Sequence, residues 1–416
     1  CLLSRGLGDV YKRQALTWLS LPPEWLAALL EGLQATQQGL RALLHGLGLA
    51  PDVHGQPAWP FAHRVAVEML VVDAGHARRV LLSLLCVGVA LLALAVSVAS
   101  RRGRKPLWWL AAALVVFAPW PHRHLLLTPA VATSLHQSPT GFTAQGIVRG
   151  QAVYQQHCVR CHGASANGEG PDAARLAMWP PNLNGALLWK RLDGELFWRV
   201  RHGMQGRNGA QTMPGFGITQ LTDAQVWEVL DYLQAHAAGQ MLRESGTWDR
   251  PVRLPDVAVL CRQGRQHTAR SLVGQRLRVV LPGSGSPLPA DDPRLVSLVV
   301  AHPGPGAAHT PDAAAADAEC LTTDTAAPLA LALVLGVPAS DLPGHQLIAD
   351  RAGWLRARGQ PGKAAWSEDD LVCRTAPAAQ LPSADVAANA VGDGLQALIR
   401  RMDAEPVRLV RGGFPH

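Results

Sequence analysis

An uninterrupted apolar run over residues 80–100 is the feature that most constrains how this chain can fold. A run of about twenty apolar residues forms a helix long enough to cross the hydrocarbon core of a bilayer. It is apolar on every side, which argues against the alternative of a core helix in a soluble domain. A second, shorter apolar run follows over residues 107–120. Together the two runs predict a transmembrane helical hairpin over residues 80–127.

The basic loop between the two runs sets the expected orientation. Residues 101–105 read Arg-Arg-Gly-Arg-Lys, and such clusters remain on the cytoplasmic side. The second run crosses a bilayer only with help from residues 125–127 or from a thinned membrane. We therefore expect a protein of the bacterial inner membrane whose chain after the hairpin faces the periplasm. The formal net charge of +7 fits this topology, since no nucleic-acid-binding motif accompanies it.

Residues 158–162 read Cys-Val-Arg-Cys-His, a C-x-x-C-H pattern. Cys158 and Cys161 lie about one helical turn apart, so their thiols can add to the two vinyl groups of one porphyrin. The imidazole of His162 then lies under the iron as proximal ligand. The alternative is a structural disulfide or half of a zinc site, but no second Cys/His pair follows at zinc-ligand spacing. The pattern predicts one covalently bound haem c.

Residues 146–238 resemble a class I cytochrome c, an all-α domain. A glycine-rich run follows His162 and ends at Pro171, and the Met-Pro-Gly run at residues 213–215 looks like the distal-ligand loop of that family. The resemblance implies that Met213 is the second iron ligand. It also implies that the Pro171 carbonyl accepts a hydrogen bond from the proximal imidazole and fixes its tautomer. Two other residues compete for the distal position, Met204 and His202.

The same resemblance predicts how the first and last helices of the domain cross. Gly150 and Tyr154 match one side of the crossing in the family, and Val229 and Tyr232 match the other. Residues 221–233 read as the last helical element, because a capping box opens it and apolar side chains repeat at helical spacing. We assign these residues to core packing.

Residues 256–416 read as an α/β unit, with buried strands at 276–281 and 295–300. This unit weakly resembles a thioredoxin-like fold near the copper-chaperone redoxins, whose hairpin segment matches residues 350–356. The redox C-x-x-x-C that follows the first strand in that family is replaced by residues 282–287, which contain no thiol. The resemblance therefore implies a degenerate domain with a structural or partner-binding role.

Three cysteines fall in this last unit, Cys261, Cys320 and Cys373. In an oxidising compartment two of the three can form a disulfide, and the sequence leaves the pairing open. A soft Cu(I) site made of the three thiols is the alternative. Cys86 lies inside the first apolar run, where it reads as a small buried apolar residue.

The remaining segments complete a multidomain chain. Residues 1–14 look like translated adaptor sequence and are excluded from the fold. Residues 15–79 contain a helical pattern of unknown role, which suits either a bilayer surface or a lost packing partner. Residues 128–145 and 239–255 read as linkers.

These features favour a membrane-anchored monohaem cytochrome that transfers single electrons between redox partner proteins. The chain shows no catalytic triad, phosphate loop or paired-carboxylate site and no evident small-molecule substrate, so a carrier is favoured over an enzyme. Two alternatives stay open. One is a haem subunit of a membrane oxidoreductase, and the other is a copper-handling accessory protein.

Overall fold

The computed structural model describes residues 23–67, 74–99, 104–121, 126–185, 188, 191–206, 208–248, 250–262, 264–283, 288–301, 318–363, 365–373 and 393–407. The chain forms two compact units, one before residue 136 and one from residue 136 onward. Several features of the sequence lie outside the described residues: the expected adaptor stretch, the first three residues of the basic loop at 101–103, and residues 284–287.

The first unit begins with helix α1 (Pro23–Gly46), which falls within the segment expected to be helical. Its buried Leu30 packs against Val67 and against Ala77 and Val80 on the next helix, α2 (Ala74–Ala99). Two short strand pairs complete the unit: β1 (Asp52–Val53) with β2 (Gln56–Pro57), and β3 (His63–Val65) with β4 (Leu127–Pro129). Because β4 pairs with β3, residues 128–129 belong to a sheet and not to the linker that the sequence suggested.

Helices α2 and α3 (Arg104–Val116) form a helical hairpin. Small residues line the contact between them, with Ala90, Ala93 and Ala111 buried, and such residues let two helix backbones approach closely. The described residues contain one helix long and apolar enough to cross a membrane, residues 77–98 of α2, with a mean hydropathy of 2.7. At 13 residues, α3 is too short to meet that criterion alone.

The second unit begins with a set of helices and one short hairpin. They are α4 (Ala144–His157), α5 (Val159–His162), α6 (Asp193–His202), β5 (Met204–Gln205) with β6 (Gln211–Met213), and α7 (Asp223–Ser245). The predicted capping box is present at the start of α7, where Thr222 and Gln225 exchange hydrogen bonds.

Helices α4 and α7 cross where the sequence predicted. A Cβ on Gly150 would lie 2.0 Å from the backbone oxygen of Glu228 and 3.0 Å from the nitrogen of Val229, so only glycine fits there. One turn further on, the rings of Tyr154 and Tyr232 lie 5.2 Å apart. The crossing is therefore confirmed, and it fixes the helix that leads into residues 158–162.

The expected linker at 239–255 is wrong over its first residues. Helix α7 continues to Ser245 and ends at Gly246, whose φ of 73° gives a left-handed cap. Its extension stays buried through small residues, Ala235, Ala238 and Gly239, which pack against a later helix and give no strong apolar pattern. The end of the other expected linker is ordered too, because the amide of Ala144 donates to Asp256 and the amide of Asp256 donates to Phe142.

The C-terminal part of the second unit is built on an eight-stranded sheet of order β7-β14-β13-β10-β11-β12-β8-β9. Its strands are β7 (Val252–Arg253), β8 (Ala258–Cys261), β9 (Arg265–Thr268), β10 (Leu277–Val280), β11 (Val296–Val300), β12 (Cys320–Thr322), β13 (Gln346–Ala349) and β14 (Trp354–Gly359). Strands β10, β11 and β12 are parallel, and the other neighbours are antiparallel. Helix α8 (Ala326–Leu335) belongs to one core and α9 (Gly394–Ala404) to another. The strands predicted at 276–281 and 295–300 are therefore present as β10 and β11.

The segment 350–356 holds the β13–β14 hairpin to helix α9. The carboxylate of Asp350 accepts hydrogen bonds from the amides of Ala352 and Trp354, which closes the turn. Arg356 is completely buried and donates to the backbone oxygens of Met402 and Glu405 at the end of α9. The motif that carried the resemblance thus has a structural role in this chain.

Two of the three cysteines in this part form a disulfide. Cys261 on β8 and Cys320 on β12 are direct cross-strand partners and are bonded. Cys373 is a free, buried thiol whose pKa is raised to about 11, chiefly by burial. The disulfide occupies two of the thiols that a three-thiol copper site needs.

Candidate functional site

The two thiols and the imidazole lie on a single helical turn. Helix α4 ends at His157, and the short helix α5 follows, with the carbonyl of Cys158 accepting from the amides of Cys161 (3.2 Å) and His162 (2.9 Å). All three side chains are half-buried. Burial, together with the neighbouring Cys161, raises the pKa of the Cys158 thiol to about 12. Cys158, Cys161 and His162 therefore lie on one helical turn, as their spacing in the sequence predicted.

The Pro181 carbonyl lies close enough to the His162 ring to affect the pKa of His162. Burial lowers the pKa of His162, and the Pro181 carbonyl opposes that effect. Pro171 and Pro181 are both exposed, and Gly170 before Pro171 lies against the backbone of Arg160 and Cys161. The assignment of the hydrogen-bonding carbonyl to Pro171 therefore stays a prediction, and Pro181 is the rival that the structure adds.

A tight loop carries Pro181 to this position. The amide of Gly168 donates to the His162 carbonyl, and a Cβ on Gly168 would lie 2.3 Å from the Pro180 oxygen. Beyond the proline pair, the amide of Leu183 donates to Ala166 and its side chain is buried. The only sequence signal for this loop is the pair Pro180-Pro181, which we did not weigh.

The methionine loop is fixed against the end of helix α6. Gly203 has a φ of 72°, and a Cβ there would lie 2.4 Å from the Met213 oxygen. The amide of Phe216 donates to the Val200 carbonyl at 3.0 Å. Buried Arg201 donates to the carbonyls of Phe216 and Leu221 and pairs with Asp223. These contacts leave residues 213–216 little freedom.

The methionine loop also touches the helix that ends at the thiols. The rings of Phe216 and His157 meet edge to face, with 5.8 Å between their centroids, and His157 directly precedes Cys158. Met213 is half-buried. His202 is exposed and stacks on Trp198 at 3.6 Å, which does not support it as a competing iron ligand.

These residues fit a covalently bound haem. Nδ1 of His162 is buried and makes no hydrogen bond of normal geometry within the part of the chain that the structure describes. With the Pro181 carbonyl close by, Nδ1 is the natural proton donor, which leaves Nε2 for iron. Cys158 also packs against an apolar cluster that includes Leu183, Phe197 and Leu221, and such surroundings suit a porphyrin.

Comparison with known proteins supports this site. Residues 145–233 match the family described as cytochrome C oxidase, cbb3-type, subunit III, and the match covers about a fifth of the chain. Residues 145–233 are therefore a c-type cytochrome domain, which implies a c-type haem, electron transfer and redox partner proteins.

No curated protein matches the chain. Among solved structures, it is similar to a chain of the Kuenenia stuttgartiensis reducing HAO-like protein complex Kustc0457/Kustc0458. That match is 18% identical and covers 30% of this chain and 58% of the other, with a TM-score of 0.20. So low a score carries no argument about fold or function.

Proposed function

We propose that this protein is a membrane-anchored, periplasmic electron carrier with one covalent haem, ligated by His162 and Met213. The observation that carries the proposal is the single turn that brings Cys158, Cys161 and His162 together, beside the Pro181 carbonyl. When bound, the haem supplies the one-electron chemistry. The protein residues hold it, exclude water from it and set its potential.

Each residue has a separate part in this proposal. Cys158 and Cys161 hold the porphyrin by thioether bonds. The carbonyl of Pro181 orients the His162 ring and raises its basicity as a ligand. Met213 offers a soft, neutral thioether that favours the ferrous state. The rigid loop behind Met213 limits rearrangement between the two oxidation states.

Extraction with acidic acetone tests the covalent attachment. We expect the haem to remain with wild-type protein, because thioether bonds survive the treatment. The Cys158→Ser/Cys161→Ser double variant should release any haem that it retains. Cys373→Ser, which removes a thiol far along the chain, is the matched control. Release of haem from the wild type would contradict the proposal.

The hairpin α2–α3 supports the membrane anchor. The hydroxyl of Ser83 donates to the Pro119 carbonyl at 3.0 Å, so the returning chain reaches the level of Ser83. From Ser83 to Ala99 a helix rises about 24 Å, most of the roughly 30 Å hydrocarbon thickness. At the other end, Trp108 donates to Ser97. We propose that both segments cross, with residues 101–105 in the cytoplasm.

The C-terminal sheet is proposed to be a thioredoxin-like domain that has lost its redox function. Support comes from the parallel pair β10–β11 beside the antiparallel hairpin β13–β14, flanked by the cores of α8 and α9. Its helix α8 packs on α4 and α7 of the cytochrome domain. We propose a structural role for it, as a partner of the haem domain.

A second candidate is a haem subunit of a membrane oxidoreductase, which the family description favours. In that case the haem relays electrons to a site on another chain. Detergent extraction of membranes that contain the protein distinguishes the two. A carrier purifies without oxygen consumption, whereas a subunit purifies with an oxygen-consuming partner whose activity requires the haem.

A further inference from the structure

Met204 lies directly opposite Met213 in the β5–β6 hairpin. Residues that face each other across an antiparallel pair project from the same face, with Cβ atoms about 4.5–5.5 Å apart. Both methionine side chains are half-buried. The side chain of Thr212 also donates to the Met204 carbonyl at 3.2 Å, which adds to the pairing. Wherever the Met213 side chain points, the Met204 side chain is its neighbour.

Backbone hydrogen bonds beyond the Met204–Met213 pair hold the two strands of the hairpin together. The amide of Gly206 donates to the Ala210 carbonyl, and the amide of Gly209 donates to Gly206. At the base, a Cβ on Gly203 would meet the Met213 carbonyl, so the two strands are in contact there. A methionine side chain has three rotatable bonds, so it can span one cross-strand spacing.

We propose that Met204 is a reserve ligand for the iron, which takes the distal position when the Met213 thioether is absent. This inference rests on the proposed ligation by His162 and Met213. Like Met213, Met204 presents a soft neutral sulfur that suits haem iron. The iron in a chain without Met213 therefore stays six-coordinate and sulfur-ligated.

Leucine substitutions test the proposal, because they remove sulfur while conserving volume in the loop. The variants are Met213→Leu, Met204→Leu and the double variant. The readouts are the weak red absorption band of sulfur-ligated ferric haem and the rate of carbon monoxide binding to reduced haem. We expect Met213→Leu to keep the band and to bind carbon monoxide at least tenfold more slowly than the double variant. Met204→Leu alone should match the wild type.

The matched control combines Met213→Leu with Met178→Leu, since Met178 is an exposed methionine outside the hairpin. This control should behave like Met213→Leu alone. If Met213→Leu loses the band and binds carbon monoxide as fast as the double variant, the inference is overturned while His/Met ligation stands. If the wild type itself lacks the band, the proposed ligation fails and the inference fails with it.

Discussion

Gly239 and Gly336 touch through their backbones, and neither position has room for a side chain. A Cβ on Gly336 would lie 2.2 Å from the Gly239 oxygen, and a Cβ on Gly239 would lie 2.0 Å from the Leu333 oxygen. Gly239 belongs to the last cytochrome helix, α7, and Gly336 caps α8 of the C-terminal sheet. The cytochrome domain and the sheet therefore share one core, so the second half of the chain is not a tethered module.

We expect Gly239→Ala to lower the free energy of unfolding by about 1–3 kcal/mol, because the methyl group forces α7 away from α8. Thermal unfolding, followed by circular dichroism, measures the change. Gly39→Ala is the matched control, since Gly39 also lies inside a helix but a Cβ there would have no described atom within 4 Å. That change should stabilise its helix slightly. Equal stability of the two variants would contradict the shared core.

Gly168→Ala should raise the haem reduction potential. Its methyl group would meet the Pro180 oxygen, and the φ of 89° at this position disfavours any side chain. The Pro181 carbonyl would then move away from His162, the imidazole would become less basic, and the ferric state would lose support. Redox titration followed by absorbance measures the potential.

Gly264→Ala is the control for backbone strain in the Gly168 experiment. Gly264 also has a positive φ, 67°, but a Cβ there would meet no atom within 4 Å among the described residues. This variant should leave the potential unchanged. Pro171→Ala should do the same, because the carbonyl that we propose to act on His162 is that of Pro181. A shift in Pro171→Ala with none in Gly168→Ala would support the assignment based on sequence.

The sequence predicted those elements whose structure is set by residues close together in the chain. The thiol-imidazole turn at 158–162 follows from spacing alone, and strands β10 and β11 follow from short apolar runs of strand length. The helix crossing at Gly150 was predicted by the resemblance to class I cytochromes c, in which a glycine and an aromatic residue lie at that crossing. The turn at 158–162 and the two strands depend on neighbours within a few residues.

Long-range geometry decided what the sequence did not predict. Pro181 lies near His162 only because residues 163–180 fold back, and both prolines fitted the chemistry. The pairing of Cys261 with Cys320 depends on the order of strands 59 residues apart in sequence. The extension of α7 buries alanine and glycine, whose weak apolar signal resembles that of a linker.

Asp231 predicts a pH dependence of stability. It is 3% exposed on α7, accepts a hydrogen bond from Thr140, and has a pKa raised to about 7, chiefly by burial and also by the nearby charges of Asp193 and Glu228. An unfolded aspartate has a pKa near 3.9. Because the pKa of Asp231 is higher in the folded state, its contribution to stability is fully present below about pH 4. That contribution is lost as the pH rises through about 7.

The loss for this one group amounts to at most about 4 kcal/mol between pH 4 and pH 8. Asp231→Asn should flatten this part of the profile and raise the melting temperature at pH 8. Asp369→Asn is the matched control, because it removes a carboxyl that is exposed and not buried. A wild-type stability that rises steadily from pH 5 to pH 8, unchanged in Asp231→Asn, would refute the assignment.

The hairpin α2–α3 predicts opposite accessibility for two exposed positions, Lys105 and Glu244. Each is replaced by cysteine in a Cys86→Ser background and labelled in intact spheroplasts with a membrane-impermeant maleimide. Few other thiols compete, because Cys261 and Cys320 are bonded and Cys373 is buried. Under the proposed function, haem attachment would also occupy Cys158 and Cys161. We expect Glu244→Cys to react at once and Lys105→Cys only after the membrane is permeabilised, since the basic loop stays in the cytoplasm. Labelling of both positions in intact cells would mean that α3 does not return the chain across the bilayer.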